Sequence, residues 1–341
     1  MNKSIILIVL LILAVIISCS KEEFNRDFEI PDFNFLKTVV FEDSLSSYEI
    51  FDGTPSYLTP TEDFELLQLS SVLFTDYSHK QRLVKIPAGT QMTKSGDETI
   101  DFPNGTILTK TFFYYSDDRD TTLGKKIIET RLEIKKNDVW NIATYIWNQN
   151  QTDAILELDG LDTPVSWIDE NGISRSTIYH IPTENECMTC HQANSKMTPL
   201  GPTLLNLNRN VERNGSTLNQ LTHLQNVGML NNFSVNKISQ MVDYNDFNAP
   251  LEERGRAYLA MNCAHCHNPN SWERSAEREF DFRYETPFNE AGILYEEDKI
   301  ERALQDREMP LIGTTMLDEE GISLIIEYIE SLSKRPKVGW L

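Results

Sequence analysis

Two five-residue stretches of this 341-residue chain share one pattern: Cys187-Met188-Thr189-Cys190-His191 and Cys263-Ala264-His265-Cys266-His267. Two thiols spaced by two residues and followed at once by an imidazole form the attachment pattern for a c-type haem. In that chemistry Cys187 and Cys190, or Cys263 and Cys266, bond to the haem, and His191 or His267 ligates its iron from the proximal side. Histidine is scarce here, 6 residues of 341. Chance would place it in both slots only about once in three thousand. A four-cysteine zinc site would leave both histidines unexplained, and 72 residues separate the two pairs, far more than in a zinc ribbon. Two short-loop disulfides leave the same histidines over. A thioredoxin-like redox motif needs a βαβ pattern that is not evident nearby. Two covalently bound haem c groups are therefore the expected cofactors.

The fifth cysteine belongs to a different chemistry. Lys3 precedes an apolar run from Ile5 to Ile17, which ends at Ser18-Cys19. A positive start and a 13-residue apolar stretch read as a secretory signal over residues 1–18. That stretch is shorter than the roughly 20 residues a membrane-spanning helix needs. Ile16-Ile17-Ser18-Cys19 resembles a bacterial lipoprotein box, which implies lipidation at Cys19 and an outer-membrane lipoprotein on its periplasmic or surface face. Residues 19–35 then form a tether to the membrane, and Ser20-Lys21-Glu22-Glu23 resembles a surface-export tag.

Charge narrows the partners. Asp and Glu number 52 against 31 Lys and Arg, a formal charge of −21. Such a field repels phosphate backbones, so nucleic acid is excluded as a partner. A redox partner protein would have to dock through a basic or neutral face.

The elements that must position the motifs are of two kinds. Residues 36–245 carry strand-like runs at Val84–Ile86, Thr106–Thr109, Thr111–Tyr115, Ile127–Ile134, Trp140–Trp147 and Ala154–Leu158. Turn signals at Pro87-Ala-Gly, Pro103-Asn-Gly, Lys136-Asn-Asp and Asp169–Gly172 separate them. This predicts an antiparallel β domain of about seven strands leading into the first motif, with Phe112, Tyr114, Trp140, Tyr145 and Trp147 as ordinary sheet core. Helices are expected over 217–227, ending at Gly228, and over 234–242 from a Ser234 cap. Residues 245–250 read as a linker.

Residues 251–335 are expected to form an all-α domain, so the fold class expected is α+β. An amphipathic helix over 251–261 runs into the second motif. Asp318 caps a last helix with Ile322, Ile325, Ile326, Ile329 and Leu332 on its apolar stripe. The two helices are expected to cross at Gly255. Met309-Pro310 lies 42 residues after His267. The arrangement resembles class I cytochromes c, which implies Met309 as the second haem's sixth ligand, with Met316 as its rival. For the first haem Met197, His223, Met229 and Met241 all stay open, as does a vacant position. His79, His180 and His265 have no partner pattern and are expected to be satisfied surface or core histidines.

A wider resemblance runs through residues 36–335. Leu73–Arg82 with Pro87-Ala-Gly-Thr, Phe102-Pro-Asn-Gly, Glu129-Thr-Arg-Leu132, Tyr145-Ile-Trp-Asn and the two haem-type motifs, with Leu200-Gly-Pro and Asp281-Phe-Arg, resemble a family of bacterial di-haem c-type cytochromes. That resemblance implies haem binding at both motifs and electron transfer, with no substrate. The first half also resembles, more distantly, β-sheet cytochromes that oxidise hydroxylamine through a lysine-linked haem, where Lys110 is the first lysine to test. Three functions follow as expectations. The first is a lipid-anchored di-haem electron carrier. The second is a haem-dependent oxidoreductase whose first iron is open and is fed by the Met309-ligated haem. The third is a surface lipoprotein whose cysteine pairs hold zinc.

Overall fold

The computed structural model describes residues 33, 35–96, 99–194, 196–213, 215–271, 280–306, 308–310 and 313–333. Residues 32–341 form one compact unit. The signal segment 1–18, Cys19 and nearly all of the tether lie outside the described residues.

The scaffold is a six-stranded antiparallel sheet. Its strands are β1 (Glu65–Leu66), β2 (His79–Lys85), β5 (Ile107–Tyr115), β6 (Lys125–Lys136), β7 (Val139–Trp147) and β8 (Ala154–Glu157), side by side in that order. Two short strands, β3 (Thr93–Ser95) and β4 (Thr99–Asp101), pair apart from it between β2 and β5. The two runs expected at Thr106–Thr109 and Thr111–Tyr115 are one continuous strand, bent by a bulge between Phe112 and Phe113.

Alternation along these strands gives the sheet two unlike faces. On one, Leu83, Phe113, Ile127, Leu132, Ala143, Tyr145 and Trp147 are buried against Leu45, Ile50, Leu58 and Phe64 from the preceding turns. This is ordinary apolar core. The other face carries Lys80 and Arg82 from β2, Lys110 and Phe112 from β5, and Glu129, Arg131 and Glu133 from β6, as the strand register shows. A hairpin of β9 (Leu161–Ile168) and β10 (Ser174–Ile181) packs Val165, Trp167, Tyr179 and Ile181 against Tyr114 and Ile128. Of the aromatics expected in the core, Phe112, Tyr114, Tyr145 and Trp147 are buried. Trp140 is half-buried, edge-on to Phe102.

Among the described residues the helices are α1 (Glu184–Cys190), α2 (Leu204–Leu207), α3 (Gln220–Asn226), α4 (Leu251–Asn262), α5 (Glu297–Gln305) and α6 (Glu319–Ser333). Short strands β11 (Gln192–Ala193), β12 (Lys196–Met197), β13 (Asn210–Arg213) and β14 (Ser216–Asn219) fill the stretch around the first three. Helix α3 starts three residues later than expected. Residues 216–219 pair with β13 instead, and the Asn219 side chain accepts the N–H groups of Leu221 and Thr222 at 2.9 and 3.3 Å. The helix expected over 234–242 is only a 3₁₀ turn at Val235–Lys237. Asn208 donates to the carbonyls of Ile238 and Ser239, groups a helix would have used.

The fold class expected from the sequence is overturned. The chain is mostly β-rich, with only about 23% helix. Its C-terminal part is not an all-α class I cytochrome c-like domain. After α4, residues 263–271 and 280–296 run as turns and bends, and α5 is a nine-residue helix. That stretch builds its core partly with residues from the preceding segment, 36–245, which the sequence sets apart as another domain. Leu205, Met241 and Tyr244 share one apolar cluster with Ala257, Tyr258, Ile325 and Tyr328. Helices form at either end, as the periodicity there predicts, but they bracket largely irregular chain rather than a helical domain.

The crossing of α4 and α6 is as expected. A Cβ on Gly255 would lie 2.5 Å from the Tyr328 ring, and one on Gly321 would run into the ring of Tyr258. Each glycine thus receives a tyrosine of the other helix. Asp318 caps α6 through the N–H of Gly321 at 2.9 Å. The buried stripe is Leu324, Ile325, Tyr328, Ile329 and Leu332, while Ile322 and Ile326 are only partly buried.

Candidate functional site

The first motif ends helix α1, whose start is held firmly. The Thr183 hydroxyl accepts the Glu186 N–H at 3.1 Å, and the Glu186 carboxylate accepts the Thr183 N–H at 2.8 Å. This reciprocal capping box satisfies two amides that a helix terminus leaves unpaired. Cys187 and Cys190 follow within one turn. His191 is the C-cap, and its N–H donates to the Cys187 carbonyl at 3.0 Å.

The second motif follows a helix as a turn and repeats one of these bonds. Cys263 caps α4, and the His267 N–H donates to the Cys263 carbonyl at 2.9 Å. In each motif one helical-type hydrogen bond therefore holds the first thiol and the imidazole on a single turn. The four cysteines 187, 190, 263 and 266 are free thiols. Burial pushes the Cys187 and Cys263 thiols up to about 12, and Cys266, together with burial, pushes Cys190 up as well.

His191 is 6% exposed. Its Nδ1 lies 3.2 Å from the Thr198 carbonyl and 3.5 Å from the Glu133 carboxylate. A carbonyl that accepts from Nδ1–H fixes the tautomer and presents Nε2 as the coordinating nitrogen. Burial first, then the cations Lys110 and Arg131, lower its pKa to about 3. The ring is neutral at physiological pH, which is the metal-ligating form. The His267 ring packs against Phe280 and Phe282, with centroids 5.6 and 5.3 Å away.

Folding brings the two motifs together. One ligand atom each of Cys190, His265 and Cys266 lie within 4.8 Å of one another. The loops beyond the motifs are tied as well, with the Asn194 N–H donating to the Asn270 carbonyl at 2.9 Å. His265 is thus no ordinary satisfied histidine, as its lack of a partner pattern suggested. It stands beside the second cysteines of both motifs. A signal for it was present, since it lies inside the second motif.

The other histidines are paired. His79 meets Asp118 at 2.8 Å, and His180 meets Asp162 at 2.7 Å and Glu186 at 3.1 Å. His223, a candidate sixth ligand, has only 13% of its side chain exposed and lies 3.0 Å from Glu65. Helix α3 turns it inward beside Arg213, which binds the same carboxylate.

The methionines are spread over separate cores. Met197 is buried with Cys187, Met188 and Ile142. Met241 belongs to the cluster around α4 and α6, and Met229 packs beside Leu224 and Leu230. Met309 follows α5, partly buried, with its N–H on the Ala303 carbonyl at 3.2 Å. Met316 packs against the cluster that holds Trp167 and Tyr114, and its N–H donates to Asp76 at 2.8 Å.

The charged sheet face lies beside the first motif. Glu133 touches both worlds, lining a small cavity with Arg82, Lys110 and Arg131 while facing the His191 ring. Lys110 is therefore near the first motif, in company that sequence reasoning did not foresee. The signal was there: Lys80, Arg82, Lys110, Arg131 and Glu133 occupy alternate positions on strands where an inward face should be apolar. No family model, no curated protein and no solved structure matches this chain.

Proposed function

We propose that this chain is a lipid-anchored di-haem c-type cytochrome that carries electrons. Cys187 and Cys190 hold one haem c with His191 as proximal ligand, and Cys263 and Cys266 hold the other with His267. Met309 is proposed as the second iron's distal ligand. A haem bound at either motif supplies a one-electron iron couple. The chain's own residues do the rest: Thr198 orients the His191 ring, and Phe280 and Phe282 wall the His267 ring.

One observation carries this reading. Two motifs separated by 71 residues in sequence share one hydrogen bond, from the imidazole residue's N–H to the first cysteine's carbonyl, and are folded side by side at Cys190 and Cys266. Electron transfer between two irons requires that adjacency, and isolated redox thiols do not. Lipidation at Cys19 would hold the protein at a membrane surface. Its acidic balance favours a basic or neutral partner face.

Haem staining after denaturing electrophoresis tests the proposal, because only covalent haem survives. The wild-type chain should stain, and a Cys187→Ser/Cys190→Ser variant should keep about half of the haem absorbance per chain. An unstained wild-type protein from a host that matures c-type cytochromes would sink the proposal.

The grouping of Cys190, His265 and Cys266 favours a second reading, a metal centre without haem. Two thiolates and an imidazole suit zinc. The four-cysteine version is not assembled, since Cys187 packs with Met188 and Met197 and Cys263 packs against the α4–α6 cluster. Stoichiometric zinc in unstained protein, lost on His265→Ala, would establish this reading.

A further inference from the structure

Arg82, Lys110 and Arg131 stand directly opposite one another across β2, β5 and β6. Lys80 sits two residues along on the same face, opposite Phe112. The Phe112 ring forms the floor, with Arg131 Cζ, Lys110 Nζ and Lys80 Nζ at 4.6, 5.0 and 5.9 Å from its centroid. Like charges directly opposite each other destabilise a sheet. A ladder of three, with a fourth beside it, needs negative charge to balance it.

The protein supplies part of that charge. Glu129 is fully buried and grips Arg131 at 2.6 and 2.9 Å, and it also accepts the Tyr179 hydroxyl. Glu133 faces His191. Arg82 and Lys110 make no side-chain hydrogen bond or ion pair among the described residues, and Lys80 donates only to the Ser78 carbonyl. Burial, then neighbouring cations, push Lys80 and Lys110 down from their ordinary values, and burial lowers Arg82 to about 10. The row is partly buried. Arg82, Lys110, Arg131 and Glu133 line a cavity of about 30 Å³ with Leu200 and Pro202, which follow the first motif in the chain.

We propose that Arg82 and Lys110, with Lys80 beside them, bind the two propionate carboxylates of the haem attached at Cys187 and Cys190. This rests on the di-haem reading above. The ligand chemistry is a pair of carboxylates, and the match is in number and place: two cations that make no side-chain hydrogen bond or ion pair among the described residues, on the sheet face whose Glu133 touches the first motif's histidine, and two propionates on the group tethered at that motif. A tethered carboxylate also outcompetes a dissolved anion through its effective concentration. Positive charge beside the porphyrin edge favours the ferrous iron, so these residues would raise the first haem's potential.

Potentiometric titration of the holo-protein tests this. The Cys187→Ser/Cys190→Ser variant assigns the remaining wave to the second haem. Arg82→Gln and Lys110→Gln should each shift the first haem to lower potential and leave the second unmoved. Lys110→Arg, which keeps the charge, should retain the wild-type value. Both haems stained in all variants, with midpoints the same as wild type, would overturn the inference and leave the di-haem reading standing. Protein without covalent haem would remove both. Inorganic phosphate is the probe for the other source of anion. Phosphate that raises the melting temperature of wild-type holo-protein, and not that of Arg82→Gln, would show the row open to soluble anions and overturn propionate binding.

Discussion

His180 sits between two carboxylates at the entrance to the first motif. Its pKa is raised to about 9, chiefly by the hydrogen bond to Glu186, with Asp162 adding to it. A raised histidine pKa stabilises the folded state fully below the unfolded value near 6.5 and loses that contribution as pH climbs through about 9. His180→Gln should therefore melt lower than wild type at pH 6, and the two melting curves should converge by pH 10. The ring is 40% exposed, so screening keeps the effect small. Glu129 is the opposite case, a carboxylate with no exposure at the root of a cationic row. Glu129→Ala would strand Arg131 beside Lys110, at a cost of about 3–5 kcal/mol in urea unfolding. Asp76 works by geometry instead. Its carboxylate accepts the N–H groups of Thr315 and Met316, both at 2.8 Å, and so pins the chain just before α6 to the sheet.

Among the elements, α1 and the α4–α6 pair do most to hold the motifs in place. Thr183→Ala deletes the capping box and should cost about 1 kcal/mol of stability by chemical denaturation. The helix carrying Cys187 and Cys190 would then fray from its first turn. At the crossing, each helix offers a glycine to a tyrosine of the other. The Tyr328 ring at Gly255 is fully buried and has nowhere to retreat. Gly255→Ala should destabilise by about 1–3 kcal/mol, read as a lower melting temperature. An equal Tm would mean that the helices can slide apart. These elements were legible as amphipathic stripes and cap residues. The 3₁₀ turn after Ser234 was not, because Asn208, far away in sequence, takes the carbonyls a helix needs.

At the scale of the molecule, the second motif's segment and the sheet are one body. The Phe74 N–H donates to Asn262 at 2.7 Å, Asp76 binds Thr315 and Met316, and the Tyr77 hydroxyl donates to Glu320 at 2.9 Å. Calorimetry of residues 32–341 should show a single cooperative transition, since these bonds and the shared cluster around Tyr244 and Tyr258 must break together. Two separate peaks would contradict this. Net charge acts at the same scale. Removing residues 1–18 takes away only Lys3, which leaves a formal −22. On the di-haem proposal, reduction by a basic partner protein should slow as ionic strength rises through 0.15 M, by stopped-flow absorbance, because the steering field is screened beyond about 8 Å.

The two motifs, the strand alternation from Ile107 to Trp147, the Asp318 cap and the Gly255 crossing could all be read from the chain, because each depends on neighbours a few residues away. The expected all-α C-terminal domain could not hold. Its apolar stripes are satisfied by partners from the segment before it, Leu205, Met241 and Tyr244, which no local pattern names. The same is true of the site. Sequence identified Cys187, Cys190, His191, Cys263, Cys266 and His267 by spacing. Only the tertiary fold set Cys190 against Cys266 with His265 beside them, turned Thr198 and Glu133 onto His191, and stacked Arg82, Lys110 and Arg131 in a row nearby. Spacing is a local property, whereas register and packing are decided by chain segments meeting from far apart.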